Sequence, residues 1–368
     1  MLIIFGVLQG MGGAMVFATS VAILTSVFPP QERGKALGIT VSSTYTGLSL
    51  GPFLGGLLTQ YLSWRSVFWI HVPLGLIVIL LVFWKLKGEW AEARGEKFDT
   101  TGAIIYAASI IAVGLSLLSA LRGFWVFIFV LGILGMVLFI RMELRIKTPV
   151  FNLRLFSTNR LFAFSNLAAL INYSATFAVT FLLSLYLQQV RGLNPRSAGL
   201  ILVAQPIMMA LFSPFAGRLS DRIEPRIVAS MGMTLTTISL IFFIFLGQQS
   251  HFLFIIINLA FLGIGFALFS SPNTNAIMGS VERRFYGLAS GAVATMRSLG
   301  MMISMCITSL IFTLYIGKVQ ITPEHFSVFI KSIRLAFIIF SILCFGGIFS
   351  SLIRGSLLKN NKQVSEAS

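Results

Sequence analysis

Long uninterrupted runs of apolar residues dominate the sequence. A run of 18 or more apolar residues with few charges predicts a helix that crosses a membrane, and such runs recur along the whole chain. The runs lack the polar residue at every second position that the strands of a membrane barrel would show. We therefore predict an all-α, polytopic membrane protein with about eleven spans, near residues 2–27, 36–60, 66–84, 101–121, 124–141, 161–187, 198–217, 227–247, 252–278, 287–316 and 329–353.

The composition supports this interpretation. Of the 368 residues, 57% are hydrophobic and only 10% are charged, and the mean hydropathy is +0.92. A soluble domain carries about 25% charged residues. Cys306 and Cys344 both lie inside apolar runs, so we expect packed core residues rather than a disulfide or a metal site. The sequence indicates no cofactor.

The formal net charge of +16 is distributed by topology. When the loops are assigned alternately to two sides, one side holds 19 of the 27 lysines and arginines and the other holds seven, with Arg297 inside a span. The positive-inside rule makes the richer side cytoplasmic. We therefore predict a multi-pass protein of the cell membrane with a cytoplasmic C-terminus. The basic charge then faces anionic lipid and does not indicate nucleic acid.

An internal repeat appears when the sequence is shifted by 253 residues. Seven small residues then coincide without a gap: Gly10, Gly12, Ala14, Gly34, Ala36, Gly38 and Gly47 fall on Gly263, Gly265, Ala267, Gly287, Ala289, Gly291 and Gly300. Duplicated bundles are typical of secondary transporters. Because the second copy has three spans before its matching pair, we expect about three spans to be missing before Met1.

The repeat suggests a division of the chain into four parts. We expect a remnant of a first bundle at 1–86, a linker of two inserted spans at 87–145, a six-span bundle at 146–358 and a cytoplasmic tail at 359–368.

Glycines follow a regular spacing in the second span. Residues repeated every fourth position share one helix face, and small residues there permit close contact between helices in lipid. The proline within the pattern removes a backbone hydrogen bond and permits a bend. An ordinary packing seam is the alternative. The positions concerned are Gly38, Gly47, Gly51, Pro52, Gly55 and Gly56.

This spacing, G-x8-G-x3-G-P-x2-G-G, resembles the antiporter motif of the major facilitator superfamily. The stretches 29–36, 64–75, 186–192 and 217–222 are similar to the fourteen-span drug:proton antiporter branch of that family, from its span four to its span fourteen. The resemblance implies a partial major-facilitator fold that exports amphipathic drugs in exchange for protons by alternating access. Gly6 stands where the family usually has an arginine associated with proton coupling. The alternative is a truncated, non-transporting membrane remnant or a binding partner of other membrane proteins.

A charged stretch between two spans is the candidate gating loop. We predict a short cytoplasmic turn from Gly217 to Arg226, in which Asp221 caps the next helix and pairs with nearby arginines, so that this side is latched in one conformation. A solvated charged loop is the alternative. The residues concerned are Gly217, Arg218, Asp221, Arg222 and Arg226.

Polar residues inside the spans are candidates for a substrate pocket. All 11 acidic residues lie near span ends, in loops or in the tail, so the sequence shows no obvious proton carrier. Arg297 lies about ten residues into its span, where the alternatives are a gating or site role and snorkelling toward the cytoplasm. Hydrogen bonding between helices is the alternative for each of the other candidates. The set is Asn172, Tyr173, Gln188, Gln189, Gln205, Asn273 and Arg297.

Enzyme motifs do not fit this chain. Residues 47–51 match G-x-S-x-G, but they lie inside an apolar helix, and the chain has only three histidines. The sequence contains no phosphate-binding loop for ATP. We therefore predict that the protein is not an enzyme.

Overall fold

A computed structural model of the protein describes residues 2–63, 65–88, 99–119, 123–146, 149, 151, 153–317 and 323–355. Its regular structure within these residues is entirely helical. It includes a π-helical turn (Tyr186–Val190) and two 3-10 turns (Arg283–Phe285 and Pro323–His325). The helices are α1 (Leu2–Val27), α2 (Arg33–Tyr61), α3 (Ser66–Trp69), α4 (His71–Lys85), α5 (Thr100–Leu118), α6 (Phe124–Glu143), α7 (Leu153–Thr158), α8 (Arg160–Leu185), α9 (Pro195–Leu202), α10 (Ala204–Arg222), α11 (Pro225–Ile244), α12 (Phe252–Gly279), α13 (Tyr286–Tyr315) and α14 (Phe326–Ile353).

The helices match the predicted membrane spans. Among the described residues, ten helical segments are long and apolar enough to cross a membrane, and each coincides with a predicted span. The eleventh prediction, 36–60, coincides with α2, a helix of 29 residues. The prediction of an all-α, multi-pass membrane protein is confirmed. The tail predicted at 359–368 and residues 89–98 of the predicted linker lie outside the described residues.

Prolines break two of the predicted spans. The span predicted at 66–84 is divided into α3 and α4, and the span predicted at 198–217 is divided into α9 and α10. A proline inside a helix lacks an N–H group, and its ring crowds the carbonyl group four residues earlier. Helix α3 ends at Trp69, four residues before Pro73, and α9 ends at Leu202, four residues before Pro206.

The candidate gating loop is shorter than the sequence suggested. Gly217, Arg218, Asp221 and Arg222 belong to the last turns of α10, and Arg226 belongs to the first turn of α11. The loop between α10 and α11 therefore consists of residues 223–224 alone. Residues 217–222 contain no proline, whereas Pro225 forces the residue before it out of the helical conformation, as the ψ of 119° at Glu224 shows.

The described helices reproduce the offset of the sequence repeat. Helix α2 begins at Arg33 and α13 begins at Tyr286, 253 residues later. Helices α2 and α10 pack along each other, α1 packs on α13, and the hairpin of α5 and α6 touches α13. We call the end at which α2, α11 and α13 begin and α10, α12 and α14 end the basic end, because its exposed side chains include Lys35, Arg218, Arg222, Arg283 and Arg284.

Candidate functional site

Three glycines bring α2 and α10 into backbone contact at the basic end. A Cβ atom placed on Gly34 would lie 2.4 Å from the carbonyl oxygen of Gly217, and one placed on Gly217 would lie 2.1 Å from the carbonyl oxygen of Gly34. A Cβ atom on Gly38 would lie 2.4 Å from the carbonyl oxygen of Ser213. No larger residue fits at these positions without separating the two helices.

Pro214 supports the same contact from inside α10. It has no N–H group to donate to the carbonyl group of Ala210, four residues earlier. Ser42 of α2 donates its hydroxyl hydrogen to that carbonyl oxygen at 2.5 Å. The bond that proline removes within one helix is thus replaced by a bond between two helices.

Asp221 caps α2 from the end of α10. Its carboxylate accepts hydrogen bonds from the backbone N–H groups of Gly34 at 2.7 Å and Lys35 at 2.9 Å. The first N–H groups of a helix have no partner within the helix, and the N-cap residue Glu32 forms no side-chain cap. A carboxylate at this position also interacts favourably with the helix dipole.

This geometry differs from the expectation that Asp221 caps the next helix and pairs with arginines. The N-cap of α11 is Glu224, which forms no side-chain cap, and Pro225 at the first position has no N–H group to satisfy. No arginine among the described residues lies within ion-pair distance of Asp221. Its other neighbour is Asn275 of α12, which donates to Ser220 at 3.2 Å and lies 3.5 Å from Asp221.

A second polar contact joins α2 to α13 at the same end. Arg33 donates a hydrogen bond from Nη2 to the hydroxyl oxygen of Tyr286 at 2.7 Å, and its guanidinium carbon lies 5.2 Å from the centre of that ring. Arg33 also donates to the carbonyl oxygen of Phe28. Both partners are buried, and they occupy equivalent positions of the repeat.

A third polar cluster lies near the basic end, within the second repeat. Arg354, which is 1% exposed, donates from Nη1 to the amide oxygen of Asn273 at 2.5 Å and to the hydroxyl of Ser165 at 3.2 Å. Burial lowers the pKa of Arg354 to about 9, which leaves the guanidinium charged at neutral pH. The pocket candidate Asn273 therefore belongs to this cluster and holds α8, α12 and the end of α14 together.

An aromatic cluster lies half-way through the bundle. Phe266 meets the rings of Tyr45 and Tyr173 edge to face, at 5.7 and 5.4 Å between ring centres. Met209 packs in the same cluster, and Met301 lies against it. The rise of an α-helix places the start of these side chains about 18–23 Å from the basic end, which is beyond the middle of a hydrocarbon layer of about 30 Å.

Arg297 borders this aromatic cluster. Its guanidinium carbon lies 4.9 Å from the ring centre of Phe17 on α1 and 5.6 Å from that of Tyr173 on α8. The side chain therefore points toward α1 and α8 at mid-depth, between the two repeats. Of the predicted pocket residues, the structure brings together Tyr173 and Arg297, and it adds Tyr45, Phe266 and Phe17. Each added residue is an aromatic side chain near the middle of a span, but the sequence contains many such residues and gives no reason to select these three.

The remaining pocket candidates lie elsewhere. Gln188 and Gln189 belong to the π-helical turn, at the end of the molecule opposite the basic end. Gln188 donates a hydrogen bond to Ser184, and Gln189 is exposed. Gln205 of α10 accepts a hydrogen bond from Thr180 of α8. Asn172 is buried, and its amide atoms have no hydrogen-bond partner in the described part of the chain.

The glycines of the predicted antiporter motif have different surroundings. Gly38 lies in the contact with α10, whereas Cβ atoms placed on Gly47, Gly51 and Gly55 would meet no described atom within 4 Å. Pro52 and Gly56 lie within α2, but their surroundings are outside what the structure describes.

The structure records one groove away from these contacts. It has a volume of about 530 Å³, lies between α11, α12 and α14, and is lined by apolar side chains with Ser230 and Thr234. No charged side chain lines this groove, and none of its three helices is α13, which carries Arg297. In the described residues, no group of three or more His, Cys, Asp or Glu could hold a metal ion.

The fold and its mid-depth cluster define an integral membrane protein of the transporter class, built from two repeats that meet around polar and aromatic residues. Comparison with protein families agrees. Residues 1–166 and 165–366 match the family model described as Major Facilitator Superfamily. The chain belongs to this family, whose members are membrane transporters.

Several characterised or named proteins are similar to the chain. The riboflavin transporter RibZ of Clostridioides difficile is 28% identical over 98% of the chain and 78% of its own length. The multidrug resistance protein Stp of Mycobacterium tuberculosis is 30% identical over 79% of the chain, and the tetracenomycin C resistance and export protein of Streptomyces glaucescens is 28% identical over 86%. The matched regions make up 55% of Stp and 60% of the Streptomyces protein.

The fold resembles that of a solved transporter structure. The human organic anion transporter MFSD10 superposes on 91% of the chain and 67% of its own chain with a TM-score of 0.59, at 14% sequence identity. At this identity the likeness concerns the fold alone.

Proposed function

We propose that the protein is a secondary active transporter that exports small amphipathic compounds by alternating access, with protons as the coupling ion. The observation that carries this proposal is the closed contact of α2 with α10 and α13 at the basic end, directly below a mid-depth cluster of Tyr45, Tyr173, Phe266 and Arg297. A transporter needs a central site and a contact that closes one side of it.

The contacts at the basic end suit a reversible closure. They consist of the Asp221 cap, the bond between Arg33 and Tyr286, and the glycine contact, which together join helices of different repeats. Each is a discrete contact that is either made or broken, so it fits a two-state element. We propose that this end is cytoplasmic, and that 1–86 and 146–358 move against each other with 87–145 beside them.

The names of similar proteins support transport of small molecules. They include proteins named for multidrug resistance, for export of an antibiotic and for transport of riboflavin. Proton coupling is supported by the resemblance to the drug:proton antiporter branch.

A non-transporting membrane protein that binds another membrane protein is the second candidate function. The observation that favours it is α4, which buries no residue against the other described helices. An apolar helix face without a partner in lipid fits contact with another helix.

Dye movement in inverted membrane vesicles tests the two candidates. We expect vesicles that contain the protein to accumulate dye when a proton gradient is imposed, and to lose this accumulation when an ionophore collapses the gradient. Vesicles without the protein are the control. Dye movement that is the same with and without the protein would leave the binding role as the better account.

A further inference from the structure

The guanidinium of Arg297 is a cation at mid-depth without an anionic partner in the described chain. An arginine side chain has five N–H donors. In the part of the chain that the structure describes, none of them forms a hydrogen bond or an ion pair, and the guanidinium lies over the ring faces of Phe17 and Tyr173. A ring face attracts the cation but accepts no strong directional hydrogen bond.

No described carboxylate can reach this position. The acidic residues of the described chain are Glu32, Asp99, Glu143, Asp221, Glu224, Glu282 and Glu324, and all of them lie at the ends of helices or between helices. The start of the Arg297 side chain is about 17 Å from the beginning of α13. A charge at such a depth is costly unless it faces a cavity or meets a counter-charge.

The neighbouring aromatic side chains form a packed cluster in which Tyr45, Tyr173 and Phe266 are buried. A planar ring reaches their faces in a conformation that opens this cluster. Tyr45, Tyr173 and Phe266 form a chain of edge-to-face contacts that joins α2, α8 and α12. Tyr173 belongs both to this chain and to the pair of rings beside Arg297. A single ligand that carries a ring and a charged group could therefore contact both features together.

We propose that this site binds amphipathic compounds that carry a carboxylate, or another planar or tetrahedral oxyanion, beside an aromatic ring. Arg297 pairs with the oxyanion, and Tyr45, Tyr173 and Phe266 contact the ring. A guanidinium forms a two-pronged hydrogen bond with a carboxylate, and this bond is stronger in a site with little water. The same guanidinium repels lipophilic cations. The proposal rests on the proposed function, because it names the substrate class of the same central site.

Two xanthene dyes test the charge preference with a similar ring system. Fluorescein carries a carboxylate, whereas rhodamine 6G is an esterified cation. Binding of each dye to the purified full chain in lipid nanodiscs is measured by fluorescence anisotropy, and empty nanodiscs correct for partitioning into lipid. We expect the protein to bind fluorescein at least tenfold more tightly than rhodamine 6G.

Substitutions at Arg297 assign that preference to one side chain. We expect Arg297→Gln to weaken fluorescein binding at least tenfold and to leave rhodamine 6G binding unchanged or tighter. Arg297→Lys keeps the charge without the planar fork, so its fluorescein affinity should be intermediate. Arg284→Gln is the matched control, since Arg284 is 62% exposed at the basic end, and it should bind both dyes as the unmodified protein does.

Tighter binding of rhodamine 6G by the unmodified protein would overturn the proposal, as would unchanged fluorescein binding in Arg297→Gln. If Arg297→Gln does not fold, competition on the unmodified protein decides the question. Benzoate should then displace bound fluorescein at a lower concentration than benzylamine, and the reverse order would refute the proposal. Because these experiments measure binding, a protein that binds fluorescein selectively but moves no dye refutes only the proposed transport.

Discussion

The carboxylate of Asp221 joins α10 to the first turn of α2, and Asp221→Asn removes its charge while it preserves its size. The side chain accepts two backbone hydrogen bonds, at 2.7 and 2.9 Å. An asparagine keeps one oxygen that can accept these bonds, so at least part of the cap remains. We therefore expect a weakened closed state at the basic end rather than an unfolded protein.

The magnitude follows from two contributions. Loss of a charged group at a helix N-terminus costs about 0.3–1 kcal/mol, and more where the site is partly buried. Weakening of a hydrogen-bonded cap costs about 1 kcal/mol. Together they amount to about 2 kcal/mol, which corresponds to a change of roughly 30-fold in the ratio of closed to open molecules.

Distances between spin labels on the two helices measure this change. Ile39 of α2 and Phe215 of α10 are exposed and lie beside the contact of Gly38 with Ser213, so labels there leave the contact intact. The buried residues Cys306 and Cys344 are first replaced by alanine. In Asp221→Asn we expect a longer-distance population that is small or absent in the unmodified protein.

Glu282→Gln is the matched control. It also removes one negative charge from the basic end, but Glu282 pairs with Arg284 on the surface, where both side chains are largely exposed and an ion pair contributes little. We expect its distance distribution to equal that of the unmodified protein. If Asp221→Asn and Glu282→Gln both leave the distribution unchanged, the cap does not hold this end closed and our reasoning is refuted.

Three further substitutions test the remaining contacts. Gly34→Ala places a Cβ atom 2.4 Å from a backbone oxygen of α10 and should lower thermal stability by about 1–3 kcal/mol. The control Gly287→Ala, 253 residues later, meets no atom within 4 Å and should leave thermal stability unchanged. Equal melting curves for the two variants would contradict this prediction. Tyr286→Phe keeps the ring but removes the hydroxyl group, and should weaken closure by about 1 kcal/mol in the same spin-label experiment, a result that unchanged distances would exclude. Asn273→Leu removes a partner of buried Arg354 and should lower the stability to thermal unfolding by about 2–3 kcal/mol. Adding Arg354→Met should restore part of that stability. A double variant no more stable than Asn273→Leu alone would argue against the pairing.

The sequence was sufficient for the helices because hydrophobic length is a property of each segment alone. The spans, the repeat and the family resemblance all depend on residues that are close in sequence or related by one fixed offset. The breaks after Trp69 and Leu202 each fall four residues before a proline, but Pro214 and Pro272 lie inside unbroken helices, so a proline alone does not predict a break.

The contacts of the basic end could not be predicted in the same way. Asp221 lies 187 residues from Gly34 in the sequence, and nothing near Asp221 indicates that the uncapped helix is α2 rather than α11. The depth of Arg297 in the membrane could be predicted from its position within its span. Its ring partner Phe17, however, comes from a helix 280 residues earlier, and only the packing of α1 against α13 brings the two together.

The bond between Arg33 and Tyr286 has a consequence for the history of the fold. Two residues at equivalent positions of a duplicated protein can touch each other only close to the axis that relates the copies. If the ancestor was a symmetric dimer of single copies, the residue at this position faced its own twin, as residues on the axis of a twofold dimer do. Two arginines there would repel each other, and two tyrosines could not supply a charge. From such an ancestor, the complementary pair could arise only once gene duplication allowed the two copies to carry different amino acids, so the asymmetry at the basic end is younger than the duplication.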